Sequence, residues 1–166
     1  MSALSMLGRL SSRQVLGLVA LACLASVGFA LFAQHKLGMQ PCPWCVLQRI
    51  LFLLIALLAG LGALAGRRWA TVPTAVLSIP LAGAGIAAAL YQHFVAAKTN
   101  SCNLTLADRI ISGLQLDLHF PEVFEVRSSC ADAAVNLIGV PFEFWSALLY
   151  AVVIVAALWS LRRPRG

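Results

Sequence analysis

Pro41-Cys42-Pro43-Trp44-Cys45-Val46-Leu47-Gln48-Arg49 runs directly into an apolar stretch from Val46 to Ala65, and that junction decides how the rest of the chain is read. A helix rising about 1.5 Å per residue needs about 20 apolar residues to cross a hydrocarbon core. Val46 to Ala65 meets that length, and so do Val15 to Ala33, Ala70 to Tyr91 and Phe142 to Leu161. Over 166 residues the chain is 61% hydrophobic and 11% charged, far more apolar than one soluble core of this size can bury. Lipid is therefore its main solvent. The expected fold class is an all-α membrane protein, a four-transmembrane-helix bundle in one membrane domain with loops at 34–45 and, much longer, at 92–141. Pro73 and Pro80 fall in the third span, where a membrane helix tolerates them if neighbours satisfy the freed carbonyls, and a kink is expected near Pro80.

Basic residues orient the spans, because Lys and Arg near span ends are retained on the cytoplasmic side. Arg9, Arg13, Arg67, Arg68, Arg162, Arg163 and Arg165 all fall on one side, so both termini are expected to be cytoplasmic. The other side holds every acidic residue, Asp108, Asp117, Glu122, Glu125, Asp132 and Glu143, with Lys36, Lys98, Arg109 and Arg127. The net charge of +6 does not point to nucleic acid, since the basic residues are scattered in ones and twos without a basic face. Ala30-Leu31-Phe32-Ala33 raises the alternative of a cleaved signal peptide, but the apolar run exceeds the usual h-region of about 7 to 15 residues and favours a retained anchor. In the long loop, Leu106, Ile110, Ile111 and Leu114 stand at helical spacing. They suit either an amphipathic helix on the membrane surface or one packed on the mouth of the bundle.

Cys42, Cys45, Cys102 and Cys130 all fall on the acidic, outer side, while Cys23 is alone inside the first span, where a cysteine is ordinarily a small packing residue. Disulfides persist on an oxidising face, and pairing by proximity joins Cys42 with Cys45 and Cys102 with Cys130. Cys102–Cys130 is explained adequately as a staple across the loop, with about 3 to 4 kcal/mol from chain entropy. Cys42–Cys45 is not, because so small a ring removes little freedom from the unfolded chain; such pairs are more often redox-active or metal-binding. Pro43 suits the first turn of a helix, which places Cys45 near the positive end of the helix dipole, where a thiolate is stabilised. Positions 42, 45 and 49 share a helix face, so Arg49 projects just below the cysteines. An arginine within a span usually has a partner or a task, the bland alternative being snorkelling to headgroups.

With these residues in view the chain resembles the DsbB family, disulfide bond formation protein B of bacterial inner membranes, over nearly its whole length. Beyond the Cys-x-x-Cys with Arg49 and the second cysteine pair, Gln34-His35, Tyr91-Gln92-His93 and Phe120-Pro121-Glu122-Val123-Phe124 also match. Pro43-Trp44 and Gln48, where some members carry an acidic residue, vary between members and bear on tuning. The resemblance implies a relay. A reduced DsbA-like periplasmic oxidant attacks the loop disulfide at Cys102, Cys130 is released to attack Cys42, and the displaced Cys45 thiolate passes electrons to a bound ubiquinone or another membrane quinone. It also implies that Arg49 and the helix dipole stabilise Cys45. DsbA lies near about −120 mV and ordinary structural disulfides below roughly −300 mV, a gap costing on the order of 8 kcal/mol. Either the Cys42–Cys45 bond is unusually oxidising or quinone reduction pulls the sequence forward.

His93, ending the third span, suits a ring donor to a quinone carbonyl or simple interfacial packing. His35 matches a family position without a chemical case of its own, and His119 reads as loop structure. Trp145 suits an interfacial anchor or a wall of the quinone pocket. Vitamin K epoxide reductase type enzymes share the bundle and the quinone, but there the loop cysteines precede the Cys-x-x-Cys. A zinc site built from the four outer cysteines, or a purely structural stapled protein, are the rival classes; no metal is expected.

Overall fold

The computed structural model describes residues 10–98 and 105–162. Cys102 and the arginines at 9, 163 and 165 lie outside the described residues. Helix α1, Ser12–Lys36, starts in a capping box: the Ser11 side chain accepts from the Gln14 amide while Gln14 reaches back to the Ser11 N–H. Helix α2, Pro43–Ala65, has Cys42 as its N-cap and ends at Gly66, whose φ of 62° is the left-handed conformation glycine adopts without strain. Helix α3, Arg68–Phe94, runs through Pro73 and Pro80 as one element, and a 3-10 turn follows at Ala96–Lys98. The long loop holds three short helices, α4 (Leu106–Gly113), α5 (Leu116–His119) and α6 (Pro121–Phe124). A two-residue hairpin, β1 (Asn136–Leu137) against β2 (Val140–Pro141), then leads into α7, Phe142–Arg162.

Four of these helices, α1, α2, α3 and α7, are long and apolar enough to cross a membrane. Leu21, Leu64, Trp69 and Val155 are more than 60% exposed on them, as lipid-facing side chains are. The bundle is arranged so that α1 packs on α2, α2 on α3 and α3 on α7, with α7 closing back on α1 along a looser seam. Its core is knitted by Tyr150, which is fully buried. The Tyr150 ring stacks on Phe52 with centroids 4.1 Å apart, and its hydroxyl donates to the Gln48 carbonyl at 2.9 Å. Gly85 makes room for it, because a Cβ at that position would collide with the Tyr150 ring. Cys23 is buried as a free thiol within this core.

The loop helices cover the α2 end that carries the cysteines. Thr105 caps α4 in a box with Asp108, and Ala107 and Ile111 turn inward. Ile111 packs with Val46 and Phe124, while Leu106, Leu114, Leu118 and Phe120 stay exposed. One edge of this segment thus packs on the bundle mouth, and its other edge offers apolar side chains outward.

Candidate thiol and cavity site

Pro43 at the first helical position leaves Cys42 as the capping residue, so the two cysteines of the pair occupy unlike places. The Cys45 N–H donates to Cys42 Sγ at 3.3 Å, and the two sulfurs lie 2.7 Å apart. Cys42 and Cys45 thus stand sulfur to sulfur, as the expected pairing of these two residues requires. The segment before Cys130 is tied to the turn before Cys42. The Arg127 and Ser128 amides donate to the Pro41 carbonyl at 3.0 and 3.2 Å, and the Ser128 hydroxyl donates to the Gln40 carbonyl at 2.9 Å. This docking brings Cys130 into one buried cluster with Cys42, Trp44 and Ala107. Cys42 and Cys130 are both buried within this cluster, which makes them neighbours across the loop–helix joint. The Cys130 thiol is held below the ordinary thiol range, chiefly because it accepts from Cys42 and also from the Trp44 amide. Cys42 is held well above it, by its bonds to the Cys130 and Cys45 sulfurs and by burial. Of these two residues, Cys130 is the readier thiolate and Cys42 the retained thiol.

Cys45 faces elsewhere. It lines a cavity of about 350 Å³ between α1 and α7, floored by α2. Gln40, Gln48, Arg49, Gln92 and Glu143 supply the larger polar side chains of its wall, with Phe52, Phe142 and Trp145 among the apolar ones. Gln92 Nε2 donates to Cys45 Sγ at 3.3 Å, and Gln92 is in turn oriented by Gln48 Nε2 at 2.9 Å. Arg49, only 5% exposed, donates from Nη1 to Gln34 Oε1 and to the Val123 carbonyl, both at 2.8 Å. Gln34 Nε2 also donates to the Glu122 carbonyl at 3.4 Å, and His35 pairs with the Glu122 carboxylate at 2.9 Å. Arg49 therefore does not snorkel. It pins loop helix α6 to the bundle while keeping its charge on the cavity wall, near Cys45.

His93 is not on that wall. Its Nδ1 pairs with Glu143 Oε1 at 2.6 Å, and it is Glu143 that lines the cavity. Trp145 does border the cavity, with Nε1 donating to the Leu137 carbonyl at 3.3 Å. His119 ends α5 in the loop. Gln34, Gln92 and Glu143 had no chemical role assigned from the sequence. The signal available for them was a polar side chain at or inside an apolar span, a position that is expensive unless used.

The sequence profile described as "Disulfide bond formation protein DsbB" matches residues 12–160 of this chain. Among similar proteins, the Disulfide bond formation protein B 1 of Pseudomonas fluorescens is 36% identical, across 96% of this chain and 94% of the relative. The Disulfide bond formation protein B of Chromobacterium violaceum is likewise 36% identical, across 95% of this chain and 98% of its own. The Disulfide bond formation protein B 1 of Pseudomonas savastanoi pv. phaseolicola is 34% identical, across 91% and 92%. With four membrane-spanning helices carrying a cysteine triad at one end, this chain belongs to the DsbB family of membrane disulfide bond formation proteins.

Proposed function

We propose that this chain is a protein-dithiol:quinone oxidoreductase of a bacterial inner membrane. It reoxidises a DsbA-type dithiol protein on the periplasmic side and passes the electron pair to a membrane quinone. The observation that carries this reading is the division of labour within Cys42-Pro43-Trp44-Cys45. Cys42 lies in one buried cluster with the loop cysteine Cys130, while Cys45 opens onto the cavity. A disulfide between them, attacked at Cys42 from the loop side, expels Cys45 toward the cavity. The lowered Cys130 thiol suits the role of attacking group, since the thiolate is the nucleophile in exchange. In this reading Cys102, paired with Cys130, is the sulfur that meets the soluble dithiol.

The cavity suits a quinone ring in size and in chemistry. About 350 Å³ lies within the range of small-molecule sites, and its apolar walls with a few convergent polar groups are the usual pattern. Gln48, Gln92 and Arg49 would supply donors around the ring, and the loose α1–α7 seam leaves an isoprenoid tail a path to lipid. A bound quinone supplies a two-electron acceptor. The chain's own part is to hold Cys45 as a thiolate, which the Gln92 amide favours by donating to its sulfur and the positive end of the α2 dipole favours by its field.

The test is quinone reduction driven by a reduced DsbA-type protein in purified membranes. Cys45→Ala is expected to abolish it and Arg49→Ala to reduce it at least tenfold; full activity in both variants would refute the reading.

A further inference from the structure

Glu143 lies in the first turn of α7, 2% exposed, on the wall of the cavity that Cys45 enters. Its Oε1 is bound to His93, but its Oε2 is buried with no hydrogen-bond partner among the described residues. A carboxyl oxygen left unmet in an apolar setting is costly, and an ionisable group inside a membrane span is retained where it has a task. His93 stands at the C-terminal turn of α3 with its side chain 32% exposed, its ring held between Phe94 and Phe144. It links the buried carboxyl to the surface of the chain at the cysteine-bearing end of the bundle. Among the described residues, Glu143 is the only carboxyl or imidazole on the cavity wall.

Resting on the quinone reading above, we propose that Glu143 is a catalytic acid of quinone reduction, oriented and reprotonated by His93 as its positioning residue. Proton counting shows why an acid is needed. After exchange the reduced pair holds a Cys42 thiol and a Cys45 thiolate. Closing the Cys42–Cys45 bond releases two electrons and only the single proton of Cys42. A quinone needs two electrons and two protons to become the quinol. The second proton is the one Cys45 gave up earlier, and it must return from a group that reaches the cavity. Arg49 does not serve, since a guanidinium keeps its proton and its Nη1 is already bound to Gln34 and Val123. Glu143 in its acid form gives a proton to the quinone oxygen and becomes the carboxylate; His93 then returns one to it from water. The balance is one thiol, one thiolate, one carboxylic acid and one quinone giving one disulfide, one carboxylate and one quinol.

The experiment uses the full chain in detergent, with a short-chain ubiquinone as probe. Binding is measured on the oxidised protein, without turnover, and quinol formation in a single turnover from the pre-reduced protein. Glu143→Gln is expected to bind the quinone within about threefold of wild type but to form quinol about 100-fold more slowly, the usual scale of acid catalysis. Glu143→Asp is expected to recover most of the rate, and added formate to rescue Glu143→Ala but not Glu143→Gln. The proposal is overturned if Glu143→Gln forms quinol at the wild-type rate. It is equally overturned if weaker binding accounts for the whole loss, or if Asp does no better than Gln. Absence of quinol formation in the wild type removes the quinone reading itself, which separates that failure from one confined to Glu143.

Discussion

At the scale of single residues, the site works by giving chemically identical thiols different neighbours. Cys130 accepts from Cys42, which lowers its pKa, so its thiolate is present above that lowered value and is lost as pH falls through it. Alkylation by iodoacetamide in a Cys102→Ser background, followed by mass spectrometry, is expected to give Cys130 a midpoint below the ordinary thiol range. Cys42→Ala is expected to move that midpoint upward; no change would mean the hydrogen bond does not control its acidity. Arg49 has a role that is separable from its charge. Arg49→Met leaves the Val123 carbonyl and Gln34 without their donor, at about 1.5 to 3 kcal/mol for a bond to a charged group. Faster hydrogen exchange over residues 120–126 is the expected readout, and unchanged protection there would remove the clamp from the account.

At the scale of elements, the tightest joint is Gly85 of α3 against Tyr150 of α7, with Phe52 of α2 beneath. Gly85→Ala forces the Tyr150 ring from its place, an overpacking cost of about 1 to 3 kcal/mol. Unfolding in mixed micelles is expected to show that loss, whereas Tyr150→Phe gives up only its bond to the Gln48 carbonyl, about 1 kcal/mol. Elements of this kind were unequally legible in the sequence. Span lengths are written in hydropathy, and the start of α2 is written in Pro43, whose missing N–H costs nothing in the first turn of a helix. The faces were not legible. In lipid both the core and the outer face of a helix are apolar, so Gly85 and Tyr150 carry no periodic contrast with Leu61 or Leu148. Likewise His93 and Glu143 are 50 positions apart, and only the packing of α3 on α7 reveals that Glu143, rather than His93, reaches the cavity.

At the scale of the whole molecule, the bundle gives the cysteines of one end two environments, the two that the proposed electron path requires. Arg13, Arg67, Arg68 and Arg162 gather at one end, and the acidic loop with Cys42, Cys45 and Cys130 gathers at the other. The loop is held over the α2 mouth by the Pro41 carbonyl and by Arg49, so Cys130 meets Cys42 on the loop side while Cys45 lines the cavity between α1 and α7. This division is the central claim, and disulfide mapping of Cys45→Ser after mild oxidation tests it most directly. The expected product is a Cys42–Cys130 disulfide, with quinone reduction abolished. Recovery of Cys42 as a free thiol, or quinone reduced at the wild-type rate, would contradict the path described.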